Sequence, residues 1–263
     1  MIAQNKSHRW KLLLGAVIIM LCLAVAGWRL SKARCVQLVG ELTCRVDTSS
    51  KIVALTFDDG PTPEGVDAVL RELEPRGIKA TFFLIGNRME RFPGQAERLV
   101  SAGHELGNHT YSHQRNLGRS QSFYAEEIAK TDRLLQRAGS RTTLFRPPFG
   151  KRLIGLPLEV DRAGYRTIMW DVEDQPEKYD EPQAYANDIL VRVRSGSIIL
   201  IHPMHRHNQT AKDALPIILD GLQAKGFEVV TVSELLKRTR QVSQAQGPLR
   251  PSSMVTKRSS AWG

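Results

Sequence analysis

Ile52-Val53-Ala54-Leu55-Thr56-Phe57-Asp58-Asp59-Gly60 is the stretch on which the fold turns. Its first six residues are apolar or β-branched, as in a strand covered on both faces, and the last three are residue types that end a strand in a turn. Six further strand-like runs follow, at residues 80–85, 105–108, 143–145, 166–170, 198–201 and 228–232. Segments of helical spacing separate them; within residues 122–138, Ile128, Leu134 and Leu135 fall on one face. Thr62-Pro63, Thr210 and Ser233 carry helix-start chemistry, and Gly139, Gly164 and Gly226 stand where helices stop. Strand alternating with helix through short connections means a parallel sheet, either an open doubly wound sheet or a closed barrel. Neither a G-x-G-x-x-G turn nor a phosphate-binding loop follows the first strand, which argues against nucleotide binding.

Outward from this body, the two ends of the chain differ in kind. Lys6, Arg9 and Lys11, on a basic flank at residues 1–11, precede a run without charge at residues 12–28 that closes with Trp28 before Arg29. Its 17 residues stand at the short end for a membrane-spanning helix and are slightly long for a signal-peptide core. Ala24-Val25-Ala26 resembles a signal-peptidase site, whereas Trp28 and the basic Arg29, Lys32 and Arg34 suit an uncleaved single-pass anchor. Both readings export the rest of the chain; cleavage would make it a secreted protein. Residues 29–49 read as a linker, 50–236 as the catalytic domain, and 237–263, polar and basic without periodicity, as a disordered tail. Cys22 lies in the apolar run, leaving Cys35 and Cys44 either as a pair closing a small loop in an oxidising compartment or as two unpaired residues.

Net charge is +10 and the pI about 9.8, which raises the question of nucleic acid. The excess is terminal: residues 1–35 and 237–263 hold twelve of the 37 basic residues and no acid, leaving 25 against 27 acids in the body. A basic face for a phosphate backbone would have to come from that body, so nucleic acid is excluded as a partner.

The chemistry collects at strand ends. Asp58 and Asp59 follow the first strand, His109 the third, Arg146 the fourth, Asp171 the fifth and His202 the sixth. In a parallel barrel those C-terminal ends share one rim, where residues distant in sequence converge. Individually each has a plain explanation: Asp58-Asp59-Gly60 as a turn, His109 and His113 as a surface pair four apart, Arg146-Pro147-Pro148-Phe149 as a rigid turn, His202 as a core histidine. Together, one carboxylate and two imidazoles, the pair spaced to bind from a turn of helix, make three ligands of an open catalytic metal site, with a second carboxylate beside them as a base.

Thr56-Phe57-Asp58-Asp59-Gly60, His109-Thr110-Tyr111-Ser112-His113, Arg146-Pro147-Pro148-Phe149 and Leu200-Ile201-His202 resemble, in order, four motifs of the polysaccharide deacetylases, carbohydrate esterase family 4 with its NodB-homology domain. The likeness covers about residues 50–236. It implies a distorted (β/α)-barrel of about seven parallel strands and a divalent metal, usually zinc. It further implies Asp59, His109 and His113 as ligands, Asp58 as the base toward a metal-activated water, Arg146 holding Asp58, and His202 as the acid for the departing amine. The backbone N–H near Phe149 would hold the oxyanion, and Trp170 and Leu200 would wall an acetyl pocket. The implied partner is an acetylated glycan containing N-acetylglucosamine, such as peptidoglycan, chitin oligomers or exopolysaccharide. An O-acetyl esterase on xylan and a non-catalytic glycan-binding protein are the alternatives.

One departure stands out. An Asp-Trp pair often follows the fifth strand in this family, the Asp bonding the acid histidine; here Pro176 and Glu177 fall at that spacing. Glu173 and Asp174 are both candidates for the missing partner. His205 and His207 stand near His202, in what reads as a solvent-facing loop, and His104 has no assigned role.

Overall fold

A computed structural model describes residues 2–204 and 207–245. The chain opens with α1 (Ile2–Lys32), β1 (Leu42–Thr43), β2 (Ile52–Gly60), α2 (Pro63–Leu73) and β3 (Thr81–Leu84). It continues through α3 (Gly86–Arg91), α4 (Gln95–Ser101), β4 (Glu105–Asn108), α5 (Gln121–Arg137), β5 (Leu144–Phe145) and α6 (Gly155–Arg162). The last third holds β6 (Arg166–Ile168), β7 (Val172–Glu173), α7 (Pro182–Arg192), β8 (Ile198–Ile201), α8 (Gln209–Ala224), β9 (Glu228–Val230) and α9 (Val232–Ala245).

The strands pair in the order β1-β6-β5-β4-β3-β2-β8-β7, with β9 also on β2, and every one of these ladders is parallel. Alternation along the strands sorts their side chains into two layers. Val53, Leu55 and Phe57 of β2 face outward and join Val66 and Val69 of α2 and Leu215, Leu219 and Leu222 of α8 in the larger core. Ile52, Ala54, Phe83, Leu144, Ile168, Leu200 and Val230, from six different strands, meet in a second cluster on the inner face. Six strands can bring inner residues together only if the sheet curls around them. The fold is thus the distorted barrel, not a flat doubly wound sheet. Met169-Trp170-Asp171 carries the chain across the remaining gap from β6 to β7.

Local chemistry explains where elements begin. The Thr62 hydroxyl accepts from the Gly65 N–H at 3.2 Å, capping α2. Asn208, rather than Thr210, caps α8, accepting from the Ala211 N–H at 3.2 Å. Thr231 caps α9 through the Glu234 N–H at 3.3 Å.

Three sequence expectations are corrected. The sheet has nine strands because the 166–170 run divides into β6 and β7, and because β1 emerges from the stretch read as a linker. That stretch is folded: Cys35 and Cys44 form a disulfide, and the Arg152 guanidinium donates to the carbonyls of Ala33, Arg34 and Val36 at 3.1, 2.7 and 3.0 Å. The tail assigned to residues 237–263 is helical as far as Ala245, because buried Val232 and Leu235 seat α9 on the core and Arg238 pairs with Glu228 and Glu234. Residues 246–263 lie outside the described residues.

Within α1, His8–Lys32 is long and apolar enough to cross a membrane. Its exposed Leu, Ile and Val side chains contrast with Ser31, which is buried where the helix reaches the domain.

Candidate active site

Adjacent residues in a regular strand point to opposite faces, so Asp58 and Asp59 could not share a site on an unbroken β2. The ladder with β3 breaks there: Asp58 opposes Phe83 and Gly60 opposes Leu84, leaving Asp59 as an extra residue. This is a β-bulge, with Asp59 in the left-handed region at φ 67°. The strand therefore runs on to Gly60 instead of ending in a turn before it, and both carboxylates reach one place.

The two histidines approach from the loop after β4. Asn108 anchors its start, donating to the Ile128 carbonyl and accepting from the Thr110 N–H, each at 2.9 Å. The buried Glu127 carboxylate of α5 accepts from the N–H groups of Tyr111 and Ser112 at 3.1 and 2.8 Å. Thr110 and His113 adopt φ of 64° and 54°, so the pair sits on a wound loop and not on the turn of helix its spacing predicts. Asp59 Oδ1 lies 3.5 Å from His109 Nε2 and 3.0 Å from His113 Nε2. One ligand atom from each of the three falls within 4.8 Å of the others. His109 Nδ1 stands 2.7 Å from the Arg146 carbonyl, which can only accept, so Nδ1 carries the hydrogen and Nε2 turns its lone pair toward the cluster. A carboxylate and two neutral imidazoles in that arrangement fit a divalent cation, with positions left open for water.

Arg146 is fully buried beneath them. Its guanidinium donates to Asp58 Oδ1 at 2.7 Å, to the Thr56 hydroxyl at 2.8 Å, and to the Ile168 and Met169 carbonyls at 3.1 and 3.2 Å. It also lies 4.1 Å from the Phe83 ring and 5.3 Å from that of Trp170. Burial pulls its pKa down and the Asp58 carboxylate resists, so each ion holds the other in its charged form. Trp170 and Leu200 pack together in the inner cluster. Phe149 is exposed, at φ 58°, with its ring 4.7 Å from that of His113.

His202 follows β8 on the other side. Its Nδ1 is 2.7 Å from Asp174 Oδ1, and Asp174 Oδ2 accepts from the His202 N–H at 2.9 Å and the Tyr185 hydroxyl at 2.7 Å. The partner left open between Glu173 and Asp174 is therefore Asp174; Glu173 faces away and pairs with Arg34 at 2.9 Å. Burial lowers the His202 pKa, but the Asp174 bond and charge, with smaller help from Asp58 and Asp59, raise it to about 9. Beside His202 opens a cleft of about 820 Å³ lined by Asp174, Glu177, His207 and Asn208.

Some expected residues lie elsewhere. Asp171 is at the opposite end of β8, bonding the Ile198 N–H and the Ser197 hydroxyl at 3.0 Å each, because β7 starts lower than the fifth-strand reading assumed. His104 accepts from the Ala80 N–H at 3.2 Å, and burial, then Lys79, lowers its pKa to about 4, so it is a neutral core residue. His205 lies outside the described residues. Sequence reasoning missed Glu127 and Tyr185; both occupy ordinary helical core positions and carry no local signal.

The fold and this constellation define the class. A family model, polysaccharide deacetylase, matches residues 45–168. A peptidoglycan-N-acetylglucosamine deacetylase of Bacillus cereus is 34% identical over 200 residues, spanning 75% of this chain and 94% of that protein. The solved structure of the Bc1960 peptidoglycan N-acetylglucosamine deacetylase superposes with a TM-score of 0.71 at 33% identity, covering 74% of this chain and 92% of that one. A carbohydrate esterase family 4 pseudoenzyme of Bacillus anthracis superposes with a TM-score of 0.70 at 28% identity, over 76% and 70% of the two chains. The chain belongs to the polysaccharide deacetylases, hydrolases of carbohydrate esterase family 4.

Proposed function

We propose that the protein removes acetyl groups from N-acetylglucosamine residues of an extracytoplasmic glycan, releasing acetate and leaving a free amine. The observation that carries this reading is the presence, on one rim, of a complete ligand set and two separately tuned proton-transfer groups. Asp59, His109 and His113 would hold a divalent cation, zinc by the donor set, which when bound supplies Lewis acidity toward water and the acetyl carbonyl. Asp58, kept ionised by Arg146, takes a proton from the attacking water. The backbone N–H near Phe149 receives the carbonyl oxygen as it gains charge. His202, protonated through Asp174, gives its proton to the sugar nitrogen as the carbon–nitrogen bond breaks. Trp170 and Leu200 close the pocket around the acetyl methyl.

An amide needs that proton more than an ester does, since an amine leaves poorly until protonated. The Asp174–His202–Tyr185 assembly therefore favours an N-acetyl over an O-acetyl substrate. Peptidoglycan and chitin oligomers are the two glycans to which the relatives' activities point. We further assign α1 as an anchor that leaves the domain outside the cytoplasm, supported by its length, the basic flank and the docking of its end at Ser31.

The test is acetate release and product mass from peptidoglycan, chitooligosaccharides and acetylated xylan, each with and without chelator. Loss of one acetyl per event from either of the first two, abolished by chelator, is expected. Release from xylan alone overturns the amide assignment, and no release from any would place the chain with the non-catalytic relatives.

A further inference from the structure

The loops after β4 and β5 carry His109, His113, Arg146 and Phe149, and the same two loops form the wall that meets α1. Between them lies a groove of about 520 Å³, with Leu23 and Gly27 of α1 on one side and Leu117, Leu153 and Ile154 on the other. Ile154 is exposed although it is a large apolar side chain. No acidic residue lines this groove. Arg29, Lys32, Arg115 and Arg119 are exposed around it, and the Lys151 ammonium lies 5.5 Å from the Trp28 ring.

We infer that this face of the domain docks on an anionic lipid surface, seating the catalytic rim at the bilayer. The inference rests on α1 being a membrane anchor, and the two stand or fall separately in the test below. With Trp28 at the interface, Leu23 lies five residues deeper, about 7.5 Å at the helical rise. Apolar groups of interfacial proteins enter the headgroup–acyl boundary to about 5–10 Å, the level at which the loops meet Leu23. Leu117, Leu153 and Ile154 therefore face acyl chains, while Arg115, Arg119 and Lys151 lie level with anionic headgroups. The three loops cannot swing clear independently, because Arg152 binds the carbonyls of residues 33, 34 and 36 just after α1. Phe149, two residues before Lys151, then opens the site along the membrane, so the substrate is glycan lying at that surface and not polymer far from it.

The test uses the full chain carrying Cys22→Ser, reconstituted in phosphatidylglycerol vesicles, with an environment-sensitive label at Ile154→Cys or, as a control on an exposed helix, at Val191→Cys. Nitroxide lipids are expected to quench the label at position 154 and leave position 191 bright. Replacing phosphatidylglycerol with phosphatidylcholine is expected to weaken the quenching; equal quenching would overturn the role given to the basic residues. An unquenched 154 label on chain that resists carbonate extraction overturns the docking and leaves the anchor intact. Extraction of the chain by carbonate removes the anchor reading and the docking with it.

Discussion

The two halves of the site are built by different means. On the side of β2, β4 and β5, the working groups sit in or next to strands: Asp58 and Asp59 on a bulge, His109 at a strand end, Arg146 buried directly below. On the side of β8, the working group is a histidine whose position depends on Asp174 from a loop and Tyr185 from α7. The first half is fixed by backbone hydrogen bonds that the fold needs in any case. The second is fixed by side chains that the fold does not need. Rigid placement suits ligands, which must share a point; an adjustable hydrogen-bonded chain suits an acid, whose task is to have the right proton affinity.

The sharpest way to break this contrast is to strike the first half. His109→Ala is expected to lose both bound metal and turnover, down to the uncatalysed background, by metal analysis and acetate release. Asp58→Asn keeps the ligand set, so metal content is expected to persist while turnover falls by about 10²–10⁴-fold. Equal metal loss in both variants would show that the two aspartates do not divide their roles.

Striking the second half changes pH dependence more than it changes assembly. Activity is expected to fall as pH rises through the His202 pKa, about 9 from Asp174 and the two aspartates, and lower once a bound cation offsets the aspartates. The same sign holds for stability: a raised histidine pKa adds stability below its ordinary value of 6.5 and loses it as pH passes about 9. Asp174→Asn removes the partner that raises His202 and leaves the burial that lowers it. Its alkaline limb is expected to move toward acid, with a loss on the order of 10²-fold at neutral pH and metal content unchanged. Tyr185→Phe, the mildest change, removes one donor to Asp174 and leaves a stronger carboxylate. The limb is then expected to move slightly toward alkali, with a stability cost of about 1–3 kcal/mol in chemical denaturation. Limbs moving the same way in both variants would refute the chain of command from Tyr185 to His202.

The contrast also explains what could be read from the sequence. Asp58, Asp59, His109, His113, Arg146 and His202 lie within short contiguous motifs, because backbone geometry at a strand end specifies them residue by residue. The curl was legible for the same reason, since strand runs alternated with helices and polar residues gathered at one end of each run. Asp174 was not legible, because the run at 166–170 splits into β6 and β7 and the intervening residues shift the register of everything after it. That shift also misplaced Asp171. Tyr185 and Glu127 sit on helical faces where a tyrosine or a buried acid looks like routine packing. The linker concealed β1, since two residues of strand are too few for periodicity to register.

The bulge at Asp59 has a genetic corollary. Deleting the codon for either aspartate yields the same chain, Thr56-Phe57 followed by one aspartate and Gly60, so two mutational events have one product. That product would place Gly60 in the next regular register position opposite Leu84, and the interrupted ladder would run through unbroken. A single in-frame deletion thus leads from a hydrolase to a well-formed but inert protein, without passing through an unfolded one.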